Sequence, residues 1–308
     1  MGACGNGLRA VPRAVGRALV DQFVTVCATS AERRAGTLDD ARLGPVIDSL
    51  GAHGAAVVLD AVDIDKVDQL RGSMIAELDL AAATAPALGI PGHVQHNPPP
   101  RAADLHIEIF ANPIAVSVAT TMLGPGIHLS LYTGNTMLGG TSQAQPVHWD
   151  EPQLWPDLTE APPAASLIVN IPLVDVTLAN GALEVWPGTH LDVRTGGPRP
   201  DPFLVPDEWL EPRREEVPPV RVPLPKGALL LRDSRMWHRG TTNVTTEARP
   251  MVALLYTARW FRPYAIDFYA DAEPILRNAG IAVTPRYRES FDHHVWPPDW
   301  RLVPRPAD

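Results

Sequence analysis

Residues 226–250 read KGALLLRDSRMWHRGTTNVTTEARP. The apolar run Ala228–Leu231 has the length and bounds of a buried strand, and a polar, histidine-bearing stretch follows it. The Thr/Asn-rich segment Thr241–Thr246 is a turn signal, and a second strand is expected over Met251–Ala258. Two antiparallel strands joined by that turn would return Arg249 towards His238. Upstream, the chain from Ile127 onwards has the same texture. Short β-like runs at Ile127–Tyr132, Ser166–Val176 and Ala182–Trp186 alternate with Pro and Gly, as expected of a sandwich or barrel.

Before that region the pattern is mixed. Gly54–Asp60, GAAVVLD, predicts a buried strand, and Ile64, Val67, Leu70, Met74 and Leu78 recur at helical spacing. A second helix is expected after Asn112, with Pro113 in its first turn and Gly124-Pro125 ending it. Two loops stand out as candidate lids: residues 88–104, which contain IPGHVQHNPPP, and the proline- and charge-rich residues 191–220. Residues 1–45 are expected to form an N-terminal helical extension, leaving 46–308 as a single domain.

Composition excludes several classes of function. Of the 308 residues 45% are hydrophobic, enough for a full core, yet no apolar run approaches the ~18 residues of a membrane-spanning helix. A net charge of −9 argues against nucleic acid as a partner. Two cysteines, Cys4 and Cys27, supply neither a disulfide framework nor a cysteine-rich zinc site, so a cytoplasmic location is expected.

Ten histidines are present. Oxygen-activating metal sites often use two His and one carboxylate, and on a strand His-x-Asp places two such ligands on one face. The spacing occurs as His106-Ile107-Glu108, His148-Trp149-Asp150 and His190-Leu191-Asp192. His106 precedes a helix and His190 follows the turn Pro187-Gly188-Thr189, whereas His148 opens an extended stretch. His238 offers a third ligand from a distant strand. Arg249 adds a guanidinium able to grip a carboxylate bidentately, so the set suits iron plus an organic diacid.

The order Gln145-x-x-His148-x-Asp150, Asn180-Gly181-Ala182-Leu183, Pro187-Gly188-Thr189-His190 and Gly227…Trp237-His238-Arg239-Gly240…Asn243…Arg249 resembles the phytanoyl-CoA dioxygenase family over roughly residues 50–265. The resemblance implies a mainly β fold with flanking helices around a double-stranded β-helix (jelly-roll, cupin-like) core. It implies His148, Asp150 and His238 as ligands of Fe(II), Arg249 as partner of the distal carboxylate of 2-oxoglutarate, and Gln145, Thr189 and Tyr132 as further cosubstrate contacts. With dioxygen as the other cosubstrate, the expected reaction oxidises a C–H bond of a small molecule, releasing succinate and carbon dioxide. Halogenases of this kind carry a small residue where Asp150 stands, which disfavours halide ligation.

Hydroxylation is the leading outcome; desaturation, epimerisation and cyclisation share the same start. A cupin-like hydrolase or isomerase that dispenses with 2-oxoglutarate would need no anchor such as Arg249, and a non-catalytic binding module would need no intact triad. Trp149, Trp155 and Trp237 could wall a pocket or pack a core. His93 and His96 could face substrate, and His293-His294 are expected to pack the C-terminal tail. Monomer and homodimer are both compatible with the sequence.

Overall fold

The computed structural model describes residues 23–83, 89–155, 157–195, 201, 203–261 and 263–294. In chain order the elements begin with β1 (Thr25–Cys27), α1 (Ser30–Ala35), α2 (Asp40–His53), β2 (Ala55–Leu59), α3 (Ile64–Ala76) and α4 (Leu78–Ala82). They continue with β3 (His93–Gln95), α5 (Ile107–Phe110), α6 (Pro113–Leu123), β4 (His128–Met137), β5 (Ser166–Pro172), β6 (Leu183–Val185) and α7 (Asp207–Glu216). The remainder is β7 (Val220–Val222), β8 (Leu229–Asp233), β9 (His238–Arg239), β10 (Arg249–Thr257), β11 (Ile266–Tyr269), α8 (Glu273–Arg277), β12 (Ala282–Val283) and β13 (Pro285–Arg288).

The strands form a major mixed sheet in the order β1-β2-β8-β5-β10-β4-β12, with β3 added to β4, and a minor sheet in the order β7-β6-β9. Side-chain alternation sorts the major sheet into two faces. Ala56 and Val58 of β2, Leu167, Val169 and Ile171 of β5, Leu229 and Leu231 of β8, and Val252 and Leu254 of β10 pack against α2, α3, α5 and α6 in the largest core cluster. The intervening residues Ala55, Val57, Leu230 and Met251 instead pack against Val185 and Val222 of the minor sheet. The protein is thus layered: helices, major sheet, minor sheet.

Local signals explain the helices. Asn112 accepts from the Ala115 N–H at 3.0 Å and Pro113 opens α6, as expected. Asp63 caps α3 by accepting from Asp65 N–H.

Three expectations are corrected. Residues 25–45 are not an appended helical extension: β1 pairs in parallel with β2 in the major sheet, and the buried Leu38 joins the main core. Residues 1–22 lie outside the described residues. The two loops also carry regular structure, since β3 pairs with β4 within residues 88–104 and α7 and β7 occupy the second half of residues 191–220. Finally, β9 and β10 are not neighbours. β9 pairs with β6, and β10 with β4 and β5, so the Thr241–Thr246 connection crosses between sheets.

Glu32 locks the N-terminal segment. Its carboxylate accepts from the Thr29 N–H (2.8 Å), the Asp39 N–H (2.9 Å) and Arg42 Nη1 (2.8 Å), while Thr29 Oγ1 accepts from the Glu32 N–H, completing a capping box. Desolvation pushes the Glu32 carboxyl up, but these bonds outweigh it and bring the pKa from 4.5 to about 2. A depressed carboxylate stabilises the fold above its unfolded pKa and loses that contribution as pH falls through the folded value. Glu32→Gln should therefore destabilise the protein by about 2 kcal/mol at pH 7. In chemical denaturation at a series of pH values, the gap to the wild type should narrow as pH drops from 4.5 towards 2.

Candidate metal centre

Residues 145–150 run along β9 as an extra edge of the minor sheet. Gln145 N–H donates to Gly240 O at 2.9 Å, His148 N–H to His238 O at 2.9 Å, and His238 N–H to His148 O at 2.8 Å. Alternation does the rest. Val147 and Trp149 turn into a cluster with Trp186, Val205 and Trp237, so His148 and Asp150 emerge together on the opposite face. Trp149 and Trp237 therefore pack a core behind the histidines.

Each imidazole is fixed by a backbone carbonyl. His148 Nδ1 lies 2.9 Å from Pro146 O and His238 Nδ1 lies 3.0 Å from Met236 O. A carbonyl only accepts, so Nδ1 carries the proton in both rings and both Nε2 lone pairs are free. The rings stand 4.3 Å apart between centroids, and His238 Nε2 is 3.6 Å from Asp150 Oδ2. One donor atom from each of His148, Asp150 and His238 lies within 4.8 Å of the other two.

The charge states suit a cation. Burial pushes both histidines below their ordinary value, so the rings are neutral at pH 7. Desolvation would raise the Asp150 carboxyl, but His238, Arg232 and His148 outweigh it and hold it at about 2. Arg232, on the inner face of β8, donates to Asp150 Oδ2 at 2.9 Å and to Asn170 Oδ1 at 3.0 Å, while its Nη1 has no hydrogen-bond partner.

Arg249 is 2% exposed at the start of β10. Among the described residues its one side-chain hydrogen-bond partner is Asn135 Oδ1, 3.2 Å from Nη1, and its buried Nε has none. It makes no ion pair among the described residues, and burial pulls its pKa down to about 10. A buried guanidinium without a counter-anion is costly, and a bound carboxylate would relieve it. His93 links the two halves of the site. Its Nε2 lies 2.9 Å from Gln143 O, its ring borders Gly240, and Arg249 and His148 both add to the burial that lowers its pKa.

The remaining expected contacts are placed differently. Gln145 reaches the site, but its Oε1 is spent on the Gly240 N–H at 2.8 Å. Thr189 is a brace: its hydroxyl donates to Trp186 O (2.7 Å) and accepts from the Trp237 N–H (2.9 Å), next to His238. Tyr132 faces the helices, packed in the main core with its ring 6.0 Å from Phe110. Tyr132 pairs with Leu254, whose side chain lies on the helix-facing side of β10. His190 belongs to a turn, with Nε2 3.1 Å from Gly51 O and its ring against Gly54, whose φ of +80° and close approach exclude a side chain.

Arg232, Asn170 and Asn135 were missed from sequence. A signal was present for the first: a charged residue at the end of the apolar run Ala228–Leu231 needs a buried partner.

A brace and a cosubstrate contact respond differently to mutation. Thr189→Val should destabilise the fold by about 1–3 kcal/mol through the lost buried hydrogen bonds. It should leave the 2-oxoglutarate concentration for half-maximal succinate release within about twofold of wild type.

The chain matches the family profile for phytanoyl-CoA dioxygenase over residues 52–251, about two-thirds of its length. Among solved structures it resembles the epimerase SnoN in complex with Fe3+, alpha-ketoglutarate and nogalamycin RO, at a TM-score of 0.51 and 20% identity, over 71% of this chain and 85% of that one. A second structure of SnoN, described as a non-heme alpha-ketoglutarate-dependent epimerase from nogalamycin biosynthesis, matches at 0.51 and 19%, over 73% and 87%. These likenesses concern the fold. The length of the profile match, spanning every residue of the centre just described, establishes that the chain belongs to the phytanoyl-CoA dioxygenase family and is an enzyme of the Fe(II)- and 2-oxoglutarate-dependent oxygenase type.

Proposed function

We propose that His148, Asp150 and His238 hold Fe(II), that Arg249 binds the distal carboxylate of 2-oxoglutarate, and that the enzyme hydroxylates a C–H bond of a small-molecule substrate. The observation that carries this reading is the convergence of two bare Nε2 atoms and one ionised carboxylate, from segments some ninety residues apart, within 4.8 Å. Two His and one carboxylate on one side of a metal leave its other positions open for exchangeable ligands. The helix-covered major sheet facing a minor sheet supports a double-stranded β-helix core, and β1 extends the catalytic domain to before residue 46.

Iron, 2-oxoglutarate and dioxygen together supply the oxidant that breaks the C–H bond, with release of succinate and carbon dioxide. The residues provide position and charge. Pro146 O and Met236 O keep both histidines in the Nδ1–H tautomer, so neither ring must reorganise to bind a cation. Arg232 holds Asp150 ionised and aimed at the histidines. Arg249, buried on the inner face of the major sheet with an unsatisfied Nε, fits a carboxylate arriving from solvent. This anchor favours an enzyme that takes a diacid over a cupin-like hydrolase or isomerase. Desaturation, epimerisation and cyclisation begin with the same C–H cleavage, and the placement of the substrate decides among them.

Mixing the anaerobic protein with Fe(II) and 2-oxoglutarate should give a weak visible charge-transfer band, which His238→Ala abolishes. Arg249→Ala should leave iron binding intact and raise the 2-oxoglutarate concentration needed to form the band on the order of 100-fold, the scale for removing one partner of a buried charge pair. Equal 2-oxoglutarate affinity in the wild type and Arg249→Ala would remove that residue from the site.

A further inference from the structure

A second cluster of metal-ligating side chains lies on the other side of the major sheet, in the helix layer. Glu77 at the end of α3, with His293 and His294 from beyond β13, each place one donor atom within 4.8 Å of the other two. Glu77 Oε2 is 3.0 Å from His293 Nε2 and 3.6 Å from His294 Nε2. For zinc bonds of about 2.0–2.1 Å, ligand atoms at the corners of a tetrahedron are about 3.3 Å apart, so these separations bracket that edge.

The three atoms converge on one buried focus. Glu77 Oε2 and His293 Nε2 form a close pair at 3.0 Å, while His294 Nε2 has no partner of hydrogen-bond geometry among the described residues. Buried polar atoms in natural proteins are rarely left so, and a cation at their common focus would satisfy all three. The surroundings hold the ligands in place. Arg101 Nη2 takes the other Glu77 oxygen at 3.0 Å, Asn97 Nδ2 donates to His293 O at 2.6 Å, and the His294 N–H donates to Asp292 Oδ1 at 2.9 Å. His96 lies alongside, 5.3 Å from the His294 ring between centroids. Its Nδ1 is 2.8 Å from Thr136 Oγ1, and a backbone hydrogen bond to Met74 also acts on the ring.

We infer that Glu77, His293 and His294 form a second metal site, selective for Zn(II), with a fourth position open to water. Two imidazoles and a carboxylate on a closed, buried focus suit zinc, whose tetrahedral sites are built from such donors. The ion would cross-link two stretches distant in sequence: the end of α3 and residues 293–294. This site is independent of the Fe(II) reading, because the major sheet separates it from His148, Asp150 and His238.

The test uses the full-length chain, stripped of metal and then equilibrated with Zn(II), with bound metal measured after gel filtration. Wild type should retain two equivalents, one at each site. The double variant His148→Ala/His238→Ala should retain one, and adding His294→Gln should remove it. Zn(II) should raise the melting temperature of the double variant by about 5 °C or more and leave that of the triple variant unchanged. A double variant with native circular dichroism and no bound zinc would overturn the inference. That result leaves the iron centre to be judged on its own.

Discussion

Two backbone hydrogen bonds, from His148 N–H to His238 O and from His238 N–H to His148 O, bring together residues that the chain separates widely. An antiparallel bridge of this kind fixes which faces its two residues present. Trp149 and Trp237, the neighbours in sequence, drop into a shared aromatic core, and the imidazoles are left side by side on the other face. Asp150 follows two residues on from His148 because strand alternation returns it to that face. The candidate metal centre is thus a consequence of strand pairing, with Pro146 O and Met236 O setting the ring tautomers.

Facing it, the major sheet carries charge where a sheet of this composition would ordinarily carry aliphatic residues. Arg232 and Arg249 are both almost fully buried, in positions that alternate with core leucines and valines. Arg232 is matched by Asp150 and Asn170, while Arg249 has one amide oxygen and no carboxylate among the described residues. A folded chain keeps so poorly matched a cation only where something else compensates for it. On the proposed reading, the distal carboxylate of a diacid cosubstrate would supply the missing negative charge.

The sequence was informative where local rules decide the outcome. His148 and Asp150 were legible because alternation needs no tertiary information, and Asn112-Pro113 because capping is local. The errors fall where distant contacts intervene. Tyr132 lies opposite the helix-facing Leu254, a register set by the distant strand β10. Thr189 sits in the motif but spends its hydroxyl on the backbone that positions His238. Arg249 does not reach the His238 side through a hairpin: β9 and β10 belong to different sheets, and a crossing connection carries the chain between them. His293 and His294, expected to be packing residues of the tail, meet Glu77 from more than two hundred residues away, a proximity no spacing rule could reveal.

The central claim is that two imidazoles and one carboxylate share a ferrous ion. X-ray absorption at the iron edge of the anaerobic Fe(II)-loaded protein reports that directly, through the multiple-scattering signature of imidazole. The account predicts two histidine ligands per iron in the wild type and one in His148→Ala. An iron surrounded by oxygen alone, or a spectrum that His148→Ala leaves unchanged, would contradict it.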